Sequence, residues 1–158
     1  NNNYLKKSPN EKGAHKMDDS IFMLMILAAA SDGKIEEIEM ERIMNTAKCY
    51  PGMKGFKKGK EYKIARKCEQ VMNNSITKEE GLGFICEKID GDQKIAAFAY
   101  CFDIIAANFI IAEKEKDFMR LLKQLLNISD ALAISFEESM KARFFSSGNN
   151  GFSPTFIS

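Results

Sequence analysis

The sequence predicts an all-α protein, a compact bundle of about seven helices built from two pseudo-twofold-related helical hairpins. Three observations carry this reading. Apolar residues recur at helical spacing with no convincing strand, only three prolines (Pro9, Pro51, Pro154) interrupt the chain, and two stretches repeat one pattern. With 45% hydrophobic residues and no Trp among 158, the composition suits one helical domain with a substantial core. Positive and negative side chains nearly cancel, 23 against 22, so the overall field gives no reason to expect nucleic acid or an anionic membrane as a partner.

Residues 1–17 are polar, lack the apolar core of a secretory signal, and are expected to be a flexible segment. The first helix is predicted from about Ser20 to Ser31, with Asp18, Asp19 or Ser20 as N-cap and Asp32-Gly33 ending it. A second covers about Glu36 to Tyr50, its acidic first turn suiting the helix dipole and Pro51-Gly52 stopping it. The third spans about Glu61 to Asn73, with Ile64, Cys68, Val71 and Met72 on one side. Thr77 and Glu80 make a capping box for the fourth, which ends near Asp90-Gly91. The fifth starts near Asp92 and is apolar all round. The sixth runs from about Ala112 to Leu126 on a stripe of Phe118, Leu121, Leu122 and Leu125, and the last from Ser129 or Asp130 to about Phe145. The folded domain is thus 18–145, and "SSGNNGFSPTFIS", 146–158, reads as a flexible tail.

Several function classes find little support. Residues 95–112 are long enough to span a bilayer, but Asp103 sits at the middle and Asn108 follows, so a helix surrounded by others explains the run better. Cys49, Cys68, Cys86 and Cys101 form no close ligand pair, which excludes a zinc site; as buried reduced thiols they point to a cytoplasmic setting. Met17, Met23, Met25, Met40 and Met44 follow the buried stripe and read as adaptable core. There is no GxSxG, P-loop or dinucleotide fingerprint, and the single His15 lies in a polar segment, so no enzyme and no small-molecule substrate are expected.

The repeated stretches are "LAAASDGKIEEIEMERIM" from Leu27 and "DIIAANFIIAEKEKDFMRLL" from Asp103, which align Ala28 with Ile104, Asp32 with Asn108, Ile35 with Ile111, Glu39 with Glu115 and Ile43 with Met119. The first corner resembles the second half of a calcium loop, with Ala28 and Ala30 where two further acids belong. Asp32, Glu36 and Glu39 could supply three or four oxygens to a calcium or magnesium ion, helped by Glu115 or Asp103 from the facing hairpin. The alternative is that Asp32 accepts the free N–H groups opening the second helix while Glu39 caps or faces water. Asp103, flanked by Phe102, Ile104 and Ile105, is either a structural tie or a ligand. The stretch 53–67 gathers seven cations around Phe56 and Tyr62, and reads either as a solvated face or as a docking surface for a protein or anionic membrane.

A helix ending "AAASDG", a hydrophobic residue two after the Gly, a Glu four further on, and a second copy closing in "LLKQLLNIS" resemble the TerB-like family. The resemblance extends from about Ser20 to Phe145 and implies a seven-helix domain of two hairpins. It implies a role in resistance to tellurite or other chemical stress, with protein partners in assemblies peripheral to the inner membrane. A related domain belongs to a membrane-anchored J-domain co-chaperone, so a docking module using the basic loop is the alternative. The family's acids are linked to divalent-metal binding; Asp32, Glu39 and Glu115 match them, whereas Asn108-Phe109 replaces the second Asp-Gly and lowers the charge there.

Overall fold

A computed structural model describes residues 10–30, 35–54, 56–107, 111–143 and 154–156. Seven α-helices follow one another: α1 (Asn10–Ala29), α2 (Glu37–Lys48), α3 (Glu61–Asn74), α4 (Lys78–Cys86), α5 (Gln93–Ala106), α6 (Glu113–Leu125) and α7 (Asp130–Arg143), with a 3-10 turn at Pro51–Met53. Among the described residues there is no strand.

The apolar second half of α1 and the apolar helix α5 form the centre. Six successive residues of α1, Ile21 to Ile26, are buried, as are Ala97, Phe98, Cys101, Phe102, Ile105 and Ala106 of α5. A helix buried on all sides must be surrounded by others. Here α1 and α5 pack most extensively on each other, α1 also meets α2, α3 and α4, and α5 also meets α2 and α6. Met23, Met25, Met40 and Met44 are core residues, as their spacing implied, and Cys68, Cys86 and Cys101 are buried. Cys49 departs from that reading: it caps the end of α2 and is exposed. No helix among the described residues is long and apolar enough to cross a membrane.

Local sequence signals set most helix ends. Thr77 accepts the N–H of Glu80 at 3.1 Å and so caps α4, while the Glu80 carboxylate takes the N–H of Ile76 rather than of Thr77. Gly91, at φ 55°, makes the left-handed turn before α5. Asn127, at φ 55°, ends α6 in a Schellman turn: Ile128 N–H reaches the Lys123 carbonyl and Asn127 N–H that of Gln124. Buried Ile128 then directs the chain into α7, whose first turn is capped by Ser129.

The structure departs from the sequence reading at both ends. Helix α1 starts at Asn10 inside the segment expected to be flexible, and the expected cap at 18–20 is helix interior. Residues 10–19 contain one Gly and no Pro, so extending a helix already formed on the buried turns costs little. Within the expected tail, Pro154 and Phe156 are buried. The rest of 146–158, and the Asp32-Gly33 and Asn108-Phe109 corners, lie outside the described residues.

Candidate functional site

The two amphipathic helices after the corners begin alike. Glu36 precedes α2 with φ −76° and ψ 155°, and Ala112 precedes α6 with φ −70° and ψ 156°. In each, the third helical residue is a glutamate that reaches back to the orphan N–H at the cap. Glu36 N–H donates to Glu39 Oε2 at 3.2 Å, and Ala112 N–H to Glu115 Oε1 at 3.1 Å. The positions aligned by the repeat thus share one backbone conformation and one hydrogen bond.

These glutamates also meet in space. Glu39 and Glu115 line one cavity of about 90 Å³ beside Ala28, Ile104 and Arg42. Ala28 and Ile104 are again an aligned pair, so the cavity draws matching positions from both copies. Burial pushes the Glu115 carboxyl above the usual range, with the Ala112 N–H pulling the other way. The space would take several waters, since one needs about 10–15 Å³.

The remaining candidates are dispersed. Asp103 does not face this cavity; its Oδ2 accepts the Tyr50 hydroxyl at 2.6 Å, and Tyr50 stacks on Tyr100 at 4.0 Å between centroids. Burial, then the bond to Asp103 and its charge, holds the Tyr50 phenol above its ordinary range. Glu36 is exposed at the head of α2, and Asp32 lies outside the described residues. Among the described residues no three His, Cys, Asp or Glu converge as a metal site.

Sequence reasoning missed Arg42, although its spacing from Glu39, Ile43 and Thr46 puts all four on one helical face, and all four line the cavity. It also missed Tyr50, for which no local signal exists. In the basic stretch the aromatics divide: Phe56 stacks inward on Phe22 at 4.2 Å, leaving Tyr62 half-exposed among the cations. Lys54, Lys57, Lys58, Lys63, Arg66 and Lys67 are exposed, while Lys60 meets Asp19 at 3.9 Å.

An all-α bundle with two like-capped helix starts meeting at one cavity defines the class of domain. The family model described as tellurite resistance protein TerB matches residues 18–138, and the chain belongs to this family. No curated protein and no solved structure matches it.

Proposed function

We propose that the chain is a non-enzymatic TerB scaffold module of a chemical-stress response, in which a divalent cation joins the two helix starts. The single observation supporting this is that Glu39 and Glu115, from matching positions, line one cavity. The donor set fits a magnesium-type ion better than calcium. Magnesium keeps several waters and needs one or two carboxylates, whereas calcium wants six to eight oxygens. Glu39 and Glu115 would hold it, each already lending one oxygen to a backbone N–H. The ion would neutralise charge in a partly desolvated place and tie α2 to α6. Arg42 on the same cavity competes for that role, which makes the expected affinity weak.

Magnesium titration followed by amide NMR is the test. The Glu36, Glu39, Ala112 and Glu115 amides should move first, and the Glu39→Gln/Glu115→Gln double variant should not respond. Unmoved amides up to about 10 mM, beyond the roughly 1 mM of the weakest calcium modules, would remove the ion and leave the scaffold.

A second reading, a docking module of a membrane-associated or co-chaperone protein, draws on the exposed cations of 53–67. Reversing Lys57, Lys58, Lys63 and Lys67 to Glu should then abolish binding to vesicles containing anionic lipid. Binding indifferent to that reversal counts against it.

A further inference from the structure

Residues 154–156 are held as a bound ligand would be. They belong to no helix, yet Phe156 is 2% exposed, its ring 5.9 Å from Phe98 and 5.6 Å from Phe102 between centroids. Phe136 of α7 approaches the same two rings, so three aromatics from α5 and α7 form the hole. Both main-chain polar groups of Phe156 are bonded to side chains: its N–H donates to Glu137 Oε1 at 2.9 Å, and its carbonyl accepts from Arg120 Nε at 2.6 Å. Arg120 is steadied by Asp117 at 2.5 Å.

This differs from ordinary core packing, where a buried residue's backbone is satisfied within its own helix. Glu137 is a carboxylate only 4% exposed, and burying a charge is costly without partners. One partner here is the main-chain amide of a segment ten residues, 144–153, beyond the end of α7. A donor and an acceptor that grip backbone accept any sequence; a ring-shaped hole beside them selects an aromatic. Extended-peptide recognition divides its work in this way.

We propose that the groove between α5, α6 and α7 is a peptide-binding site for a Pro-x-Phe segment of a partner protein, and that residues 154–156 of the same chain occupy it here. Among residues 154–156 only Phe156 supplies main-chain bonds to these side chains, so the chemistry asked of a partner is short.

The test uses the full chain carrying Phe156→Ala, which vacates the hole, titrated by fluorescence anisotropy with a labelled peptide of residues 150–158. Saturable binding is expected, with weaker apparent affinity for the wild-type chain, whose own segment competes. A peptide with Phe156→Ala should bind about tenfold to a hundredfold more weakly, as burial of one Phe implies. A peptide with Pro-x-Phe in unrelated flanks should bind within about tenfold of the native one. Hydrogen exchange on the wild type should find the Phe156 amide opening well before those of Phe98 and Phe102. Absence of saturable binding, or failure of the variant to fold, would make the segment plain core and overturn the proposal. So would a Phe156 amide exchanging no faster than α5. A wild-type dimer that becomes monomeric on Phe156→Ala would assign the groove to a second copy and overturn the partner reading.

Discussion

Replacing Tyr50 by Phe removes one hydroxyl and keeps the ring that stacks on Tyr100. The loss is the 2.6 Å bond to Asp103, which joins the chain just after α2 to the last turn of α5. Hydrogen bonds to charged groups contribute about 1.5–3 kcal/mol, but both side chains are partly exposed and water can take over some of the bond. The expected cost is therefore about 1 kcal/mol, seen as a fall of roughly 3–5 °C in Tm or about 0.5 M in the urea midpoint. Asp103→Asn keeps an acceptor and should cost less. In the double-mutant cycle the two should couple by about 0.5–1 kcal/mol, above the roughly 0.3 kcal/mol of independent sites. The phenol titrates above its unfolded value, so its contribution is full below about pH 10 and is lost as the pH rises further; Tyr50→Phe should flatten that alkaline limb. A coupling near zero would refute the tie. Asp103→Asn should leave magnesium-induced amide shifts intact, and their disappearance would make Asp103 a ligand after all.

Glu115 titrates above its unfolded value, so the stability it contributes is complete below about pH 4.3 and is lost as the pH rises through the folded value. Glu115→Gln keeps an acceptor for Ala112 N–H, and its stability relative to wild type should rise from acid to neutral pH in urea titrations. Burial pushes the Cys68 and Cys86 thiols up to about 12, so native protein should expose one fast-reacting thiol, Cys49, to a disulfide reagent and all four once unfolded. Alkali should lower stability from about pH 8.5 upward as unfolded thiols ionise, measurable by urea midpoints. A Cβ on Gly52 would stand 2.7 Å from the Tyr100 hydroxyl at the end of a rigid ring. Gly52→Ala should cost about 1–3 kcal/mol, reduced when Tyr100→Phe accompanies it.

Legibility in the sequence followed the range of the interaction. Helix starts at Thr77, Glu36 and Ala112 rest on hydrogen bonds between residues three apart, and α3 and α6 were readable nearly to the residue from apolar stripes. The convergence of Glu39 and Glu115 was foreseeable because the repeat relates their positions, though not the Arg42 guanidinium brought with them. Asp103 was singled out as anomalous, but its partner lies fifty-three residues earlier and nothing in the spacing of Tyr50 announces it. Phe156 stands in a run of Ser, Gly and Asn whose composition speaks for disorder; the buried carboxylate that receives it is equally silent.

The central placement of α1 has a consequence for the newborn chain. This helix precedes α5 in the chain, and the surface that covers it most is complete only when Ala106 has been added. At about 5–20 residues per second the ribosome takes several seconds to bridge that interval. Meanwhile the run from Ile21 to Ile26 has only α2, α3 and α4 to cover it, and shielding the side that awaits α5 falls to whatever waits at the exit tunnel.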